Sequence, residues 1–353
     1  MQAITIGVQF MDVRKKSITI IDVAAAAGVS KTTVSRYLNG KFEFMSSQSR
    51  ERIAATIEQL NYRPNNLARG LKSKRSKLLG VIVSDIKNPF SSILLKGIGD
   101  CCERYGYGVL ITNTDDDPVK EREYIEAMID QHVDGIILNT TGQNLPFLLQ
   151  MGKEDIPIVL ADRPIEVKLF DTVRTEDRKS MFEGLQHLYD QGCRSVGLFT
   201  EALENGTRIC RSEAYQDAYR EIFGKVPQIY FVDTAKEEET VAVLEQFMTD
   251  NAGVKRAIFT ANGTVTLQVV RTMLQAGLHF PEDIALCGFD NWEWTGLVED
   301  GITVVEQPTY KVGRECVKRM MARIYRSPNA LPKLIELPCN LIIRKSSQSI
   351  TKR

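Results

Sequence analysis

The sequence has no uninterrupted apolar run approaching the roughly 18 to 20 residues that cross a bilayer. Its first residues also lack the basic, then apolar, then small-residue order of a secretion signal. No membrane partner is therefore expected, and the chain is expected to stay in the cytoplasm. The seven cysteines (Cys101, Cys102, Cys193, Cys210, Cys287, Cys316 and Cys339) are odd in number and scattered, without a C-x-x-C pair. That spacing argues against both a disulfide framework and a zinc cluster, and predicts reduced, partly buried thiols. The three histidines, His132, His187 and His279, are isolated from one another, and no G-x-S-x-G elbow, Walker loop or dinucleotide-binding glycine fingerprint occurs. Catalytic dyads, metal sites and bound cofactors are thus without support, and none is assigned.

Net charge is absent too, with 45 basic and 45 acidic residues in 353, but the total hides a polarised distribution. Residues 12–77 hold 14 Lys and Arg against 5 Asp and Glu, and the remainder holds 31 against 40, so a head of +9 precedes a body of −9. A charge run alone is often just solvated surface. Here the apolar spacing inside the basic stretch points to a folded unit instead. At 43% hydrophobic and 25% charged, the chain has ordinary globular composition, and its length predicts two or three domains.

In the head, Thr19-Ile20-Ile21-Asp22 fits a capping box, with a hydroxyl to accept the backbone N–H three residues on and an acid near the positive helix end. A helix is predicted to start there, run through Val23 to Ala27, and stop at Gly28, which tolerates the left-handed turn conformation. Ser30 offers a second N-cap, for Lys31 to Leu38, in which Val34 and Leu38 face inward and Lys31, Thr32, Thr33, Ser35 and Arg36 face out; Asn39-Gly40 ends it. Ser46 or Ser47 caps a third helix with Ile53, Ile57 and Leu60 at core spacing. Two short helices about a glycine turn, the second lined with Lys, Arg, Thr and Ser, suit insertion into the DNA major groove. Lys and Arg donate to guanine O6 and N7, and small hydroxyls near helix starts hold phosphate oxygens. After Pro64 comes a short basic segment, too brief for stable helix on its own, which reads as a linker that orders on DNA.

These residues carry a close resemblance. Thr-Ile-Ile-Asp-Val-Ala-x-x-Ala-Gly-Val-Ser-x-x-Thr-Val-Ser-Arg-x-Leu-Asn-Gly (Thr19 to Gly40), followed by Leu-Asn-Tyr-Arg-Pro-Asn-x-Leu-Ala-Arg-x-Leu (Leu60 to Leu71), resembles the head and hinge of LacI/GalR regulators almost position by position. The resemblance implies base contacts from Lys31, Thr32 and Arg36, and phosphate contacts from Thr19, Ser30, Thr33, Ser35, Asn39, Ser46, Tyr62 and Asn65. It implies that paired hinges enter the minor groove, where Leu71 wedges a base step apart with Ala68 packing alongside; a partly exposed hinge leucine is the alternative. It implies a homodimer, with higher assembly open, on double-stranded pseudopalindromic operator DNA. Residues 1–16 match nothing in this scheme, and both a true start at Met11 and a loose leader stand open.

From Leu78 the pattern changes to short apolar runs alternating with amphipathic stretches. Strands are predicted at Leu79–Val83, Gly108–Ile111, Gly135–Leu138, Ile158–Leu160, Ser195–Phe199, Ala257–Phe259 and Ile284–Leu286. Helices are predicted near 91–105, 118–131, 178–191, 209–223, 236–249, 264–276 and 309–325. Such alternation predicts doubly wound α/β lobes with parallel sheets, two because the strands exceed one comfortable sheet, with ligand at the strands' carboxyl ends. There stand Asp162-Arg163, Asn262 and Asp290, with Arg211 at a helix start and Phe90 and Trp292 as stacking faces. Singly each fits an ordinary loop; their recurrence at strand ends singles them out. Together they suit a polyhydroxylated ligand.

The resemblance continues here through Asn88-Pro89-Phe90, Asp134-Gly135-Ile136-Ile137, Asp162-Arg163, Arg211-x-x-x-Tyr215, Ala261-Asn262, Gly288-Phe289-Asp290 and Gln307-Pro308. It implies a periplasmic-binding-protein-like sensor whose effector cleft is lined by Phe90, Asp162, Arg163, Arg211, Asn262 and Asp290. It also implies crossings between lobes near residues 175, 306 and 335. The expected organisation is a leader (1–16), an all-α helix-turn-helix head (17–63), a hinge (64–77), a two-lobed core (78–345) and a tail (346–353). Lobe 1 takes 78–175 and 307–334, and lobe 2 takes 176–306 and 335–345. One departure stands out: where the family usually has Asp after Asn262, this chain has Gly263. The head and hinge resemble regulators of gluconate or ketogluconate use, and Arg163, Arg174, Arg208 and Arg211 offer partners for a carboxylate; neutral pentoses and hexoses are equally open. The function expected is a sequence-specific repressor of carbohydrate-utilisation genes under a sugar or sugar-acid effector. The alternatives are a periplasmic-type sugar-binding protein without a regulatory role, which the basic head disfavours, and an α/β enzyme acting on sugars.

Overall fold

The computed structural model describes residues 18–43, 45–62, 75–152, 154, 156–326 and 330–349, and divides the chain into two units, 1–76 and 77–353. In the first unit, α1 (Ile20–Ala26), α2 (Lys31–Leu38) and α3 (Ser47–Gln59) form three short helices. Thr19 caps α1 in a two-way box: its Oγ1 accepts from the Asp22 N–H at 3.4 Å while Asp22 Oδ2 accepts from the Thr19 N–H at 2.7 Å. Gly28 takes φ +62 in the turn, and Ser30 and Ser46 cap α2 and α3 by accepting from the N–H groups of Thr33 and Ser49. Of the two cap candidates for α3, Ser46 fills the role. Val23, Ala24, Ala27, Val34, Ile53 and Tyr62 close a small core, with Leu38, Ile57 and Leu60 packed around it.

The second unit begins with β1 (Leu78–Val83), α4 (Pro89–Arg104), β2 (Gly108–Asn113), α5 (Pro118–Asp130), β3 (Ile136–Leu138), α6 (Leu145–Met151), β4 (Ile158–Ala161) and β5 (Asp171–Thr175). It continues with α7 (Asp177–Asp190), β6 (Ser195–Thr200), α8 (Gly206–Phe223), β7 (Gln228–Phe231), α9 (Glu237–Asp250), β8 (Arg256–Thr260), α10 (Gly263–Gln275), β9 (Ala285–Phe289) and β10 (Thr303–Glu306). Then come α11 (Thr309–Tyr325), β11 (Leu334–Leu337) and β12 (Asn340–Ile342), followed by a short 3-10 turn at Lys345–Ser347. One sheet has the order β11-β5-β4-β3-β1-β2 and is parallel throughout; the other runs β12-β10-β9-β8-β6-β7 and is parallel except for the antiparallel edge strand β12. Helices cover both faces, so inner strands such as β4, β6 and β9 are buried at every residue, which is why they read as continuous apolar runs.

The chain passes between the sheets at Thr175–Asp177, at Glu306–Thr309 and at Leu337–Asn340. The third passage corrects the expectation of a crossing near 335. Leu334 to Leu337 pair in parallel with Thr172 to Thr175, so this strand completes the first sheet before the chain leaves it. The boundary of the tail is corrected as well. Ser346 and Ser347 are fully buried in the second lobe: Ser346 Oγ accepts from the Thr303 N–H at 2.8 Å and donates to the Leu286 carbonyl at 2.7 Å, and Ser347 Oγ lies 2.7 Å from His187 Nε2. Hydroxyls that complete strand-end hydrogen bonds hold these two serines in place without apolar packing of their own.

Candidate DNA-reading head and effector cleft

On α2, Lys31, Thr32 and Arg36 are exposed, and among the described residues neither cation forms an ion pair. Val34 pins the opposite face in the core. A helix of two turns thus presents its donors outward on a rigid base. Thr19, Ser30, Thr33, Ser35, Asn39 and Ser46 all keep surface, and three of them are helix caps, where N–H groups and the helix dipole favour an anion. Asn39 folds back to donate to the Ser35 carbonyl at 2.7 Å. Tyr62 is placed differently from the others: only 9% of it is exposed, and its ring belongs to the core of the head. Asn65, Ala68 and Leu71 lie outside the described residues.

In the second unit the strand ends converge on one buried cation. Arg211 in α8 is 3% exposed and uses all three of its nitrogens: Nε donates to Asp177 at 3.0 Å, Nη1 to the Ala261 carbonyl at 2.8 Å, and Nη2 to Gln307 Oε1 at 2.7 Å. Its guanidinium lies 3.9 Å from the centre of the Phe289 ring. Burial pulls its basicity down, but Asp177, Asp162 and Asp290 together hold it above the usual range. Gln307 passes the connection on, donating to Asp290 Oδ1 at 2.6 Å, and Asp290 Oδ2 accepts from the Gly263 N–H at 3.0 Å. Burial raises the Asp290 carboxyl, with Arg211, Gln307 and the Gly263 N–H opposing that shift.

Asp162 and Asp290 both adopt positive φ, +67 and +69, directly after β4 and β9. That sharp exit turns each carboxylate into the seam between the lobes. Asp162 receives the Thr207 hydroxyl from the other lobe, at 3.1 Å on its carbonyl and 3.2 Å on Oδ2. Burial pushes the Asp162 carboxyl up to about 6, against the pull of Arg211. The lobes meet closely beside it, since a Cβ on Gly206 would lie 2.1 Å from the Pro164 carbonyl oxygen.

The remaining residues of the expected cleft divide into two groups. Arg163 turns to Asp116, which its Nη1 also meets, and donates to the Thr140 carbonyl at 3.2 Å. Asn262 caps α10 by accepting from the Val265 N–H and donates to Glu201 at 3.0 Å, a carboxylate also bound by Arg208 at 2.7 Å. Arg174 pairs with Glu336 at 2.7 Å. Each of the four arginines considered for a ligand carboxylate thus faces a protein carboxylate. Phe90 sits in the first turn of α4 and contributes packing to the first lobe, without a polar link to the other five.

Sequence reasoning did not assign Asp177, Thr207, Glu201 or Gln307 to the site. Gln307 lies 96 positions from Arg211, and only the folded chain brings the two together. Asp177 had one available signal, its place two residues beyond the first crossing. The departure at Gly263 has a physical reason: a Cβ there would fall 2.5 Å from the Trp292 ring, so the indole occupies the space a larger side chain would need.

Comparison with known proteins agrees with this architecture. Residues 76–345 match the family described as periplasmic binding proteins and sugar binding domain of the LacI family, and residues 19–65 match bacterial regulatory proteins, lacI family. The HTH-type transcriptional regulator KdgR of Bacillus subtilis is 40% identical over 93% of this chain and 97% of its own. The HTH-type transcriptional regulator PtxS of Pseudomonas putida is 34% identical over 95% and 97%. The lac repressor dimer bound to operator and the anti-inducer ONPF superimposes with a TM-score of 0.81 at 21% identity, covering 95% of this chain and 100% of that one. That likeness concerns the fold. These relatives are regulators rather than enzymes, and the matched head sets the chain apart from a sugar-binding protein lacking a regulatory role. Among the described residues no helix is long and apolar enough to cross a membrane. The chain belongs to the LacI family of bacterial regulatory proteins, and is a DNA-binding transcriptional regulator.

Proposed function

We propose that this regulator is a cytoplasmic repressor of carbohydrate-utilisation genes, released from or held on its operator by a sugar or sugar acid bound between its lobes. Two copies place α2 in successive major grooves about one helical turn apart, on a pseudopalindromic site. Lys31, Thr32 and Arg36 read base edges. Thr19, Ser30, Thr33, Ser35, Asn39 and Ser46 hold phosphates, joined by Asn65, with Ala68 and Leu71 in the minor groove. Tyr62 supports the head from within.

The observation that carries the effector assignment is the Arg211 hub. A buried guanidinium surrounded by Asp162, Asp177 and Asp290, and shared with Gln307, offers directed donors and acceptors at the junction of two lobes. A polyhydroxylated ligand exchanges hydrogen bonds with such groups one for one, and its affinity for one lobe angle over another shifts their populations. Trp292 adds an apolar face beside Gly263. Arg163 and Arg208 are paired with Asp116 and Glu201, so a carboxylate-bearing ligand binds there by sharing or displacing one of those carboxylates.

The test is a thermal-shift panel of D-ribose, D-glucose, D-gluconate and 2-keto-D-gluconate, followed by titration calorimetry. A ligand at 100 times its Kd stabilises the folded form by about 2.7 kcal/mol. The proposal expects at least one panel member to raise the melting point and to alter duplex binding. A compound that does so equally with Arg211→Ala would remove the hub from the site.

A further inference from the structure

Helix α11 joins two polar networks that stand at opposite ends of the first lobe. At its start, Gln307 and Pro308 lead into the helix, and Gln307 is bonded to Arg211, to Asp290 and, at 3.3 Å, to the Thr175 hydroxyl. At its last residue, Tyr325 accepts a hydrogen bond from Lys77 Nζ at 2.6 Å and shares one with the Tyr107 hydroxyl at 2.8 Å. Tyr107 also donates to Asp134 Oδ2 at 2.8 Å, and that oxygen accepts from the Lys77 backbone N–H at 3.3 Å. The Lys77 ammonium lies over both rings, 4.6 Å from the centre of Tyr107 and 5.1 Å from that of Tyr325. Lys77 opens the second unit, so the chain coming from the DNA-binding head enters the core through this residue.

Between those ends the helix has little freedom to bend or slip. Its 17 residues span about 25 Å. Against α4 it packs backbone to backbone: a Cβ on Gly97 would lie 2.2 Å from the Tyr310 carbonyl oxygen, and one on Gly313 would lie 2.3 Å from that of Leu94. Tyr310 ties the pair again by donating to Asp100 at 2.9 Å. On the sheet side, Arg319 and Arg323 converge on Asp171, whose carboxylate is fully buried, at 2.9 and 2.7 Å. Contacts this close respond to a push at one end as a unit, because packed interiors resist graded deformation.

We propose that α11 is the strut that carries the state of the effector cleft to the segment leading to the DNA-binding head, with Gln307 as its sensing end and the Tyr325–Lys77 clamp as its output end. Tyr325, Tyr107 and Lys77 act as positioning residues: they touch neither operator nor effector, and they fix where the linker leaves the core. The proposal rests on the assignment of the cleft given above. An effector that draws Arg211 or Asp290 toward itself moves Gln307, and the helix moves with it.

The test is hydrogen exchange of the full-length chain, free of DNA and ligand, read residue by residue. The Lys77 amide, bonded to Asp134, reports the output end, and the Gly263 amide, bonded to Asp290, reports the cleft. Gln307→Ala is expected to speed exchange at Lys77 by about threefold or more, and Tyr325→Phe to do the same at Gly263, with α9 (Glu237–Asp250) unchanged as a control for general loosening. Lys77→Met replaces Tyr325→Phe should that variant fail to fold. Effects confined to the substituted end, or spread equally to α9, would overturn the strut. Failure of the cleft assignment would show separately, as a wild-type chain whose melting point none of the four panel compounds raises.

Discussion

Replacing Arg211 with alanine removes a guanidinium that is 3% exposed and makes three hydrogen bonds. What it leaves behind sets the magnitude. Asp177, with 5% of its side chain exposed, loses its cation and keeps only the Thr175 hydroxyl, at 3.3 Å, among the described residues. Breaking a buried pair from one side costs about 3–5 kcal/mol, because the surviving charge stays buried. Removing both charges avoids most of that, so Arg211→Met combined with Asp177→Asn is expected to recover more than half of the loss. Urea unfolding of the wild type and both variants measures the difference, and calorimetry with the active sugar then tests binding in the stable double variant. The reasoning predicts a well-folded double variant that no longer responds to effector. It is refuted if Arg211→Ala costs less than about 1 kcal/mol, or if the double variant still binds normally.

Four further expectations follow, three from the described geometry and one, at Leu71, from the resemblance of the hinge. Asp162 titrates near 6 when folded and near 3.9 when unfolded, so between those values the native state holds a proton the unfolded chain has lost. Stability from this group is therefore full below about pH 4 and declines as pH rises through 6; Asp162→Asn should gain about 2–3 kcal/mol over wild type at pH 7 and little at pH 4, by urea unfolding at both. An equal effect at both pH values would contradict the burial assigned to that carboxyl. Gly263→Ala drives a Cβ to 2.5 Å from Trp292 and should destabilise by about 1–3 kcal/mol, an effect that Trp292→Ala in the same chain reduces; a neutral Gly263→Ala would show that the ring lies elsewhere. In the head, Arg36→Ala should cost about 1–3 kcal/mol at the preferred sequence and relax specificity at one base position, whereas Leu71→Ala should weaken specific binding and leave the salt-sensitive term, both read by anisotropy at several salt concentrations.

Much of this molecule is legible in its sequence because its signals are local. The capping residues Thr19 and Ser30 and the turn at Gly28 act within one helical turn, and the structure places each as expected. Strands buried on both faces, such as β1 and β6, announce themselves as apolar runs. Edge strands are mixed: β2 reads as an apolar run although all of it is at least partly exposed, whereas β7, β11 and β12 do not stand out. In β11 exposed and half-buried residues alternate and Glu336 interrupts the apolar pattern, while β7 is only four residues long, with Gln228 at its start and every residue at least partly exposed. The helix Leu145–Met151 is short, has its proline at the second position and lacks a side-chain cap, which leaves little to recognise.

The site shows the same division. Strand-end residues Asp162, Asn262 and Asp290 can be picked out by position, but the sequence does not show what each one meets. Asp162 finds Thr207 across the seam, and Asn262 finds Glu201 rather than a partner beside Arg211. Gln307, which links Arg211 to Asp290, stands out in the sequence only as part of a Gln-Pro pair resembling the family's, and its role emerges only when three distant segments converge on it. Burial of the tail serines is likewise a matter of long-range hydrogen bonding.

The most direct test of the account is selection of duplexes from a randomised pool by the full-length chain, followed by anisotropy titration of the winner against a shuffled copy at 0.15 M salt. The account predicts convergence on an inverted repeat bound by two chains, about a thousandfold or more tighter than the shuffled duplex. Recovery of no common sequence, or of a single unrepeated half bound by one chain, would contradict it.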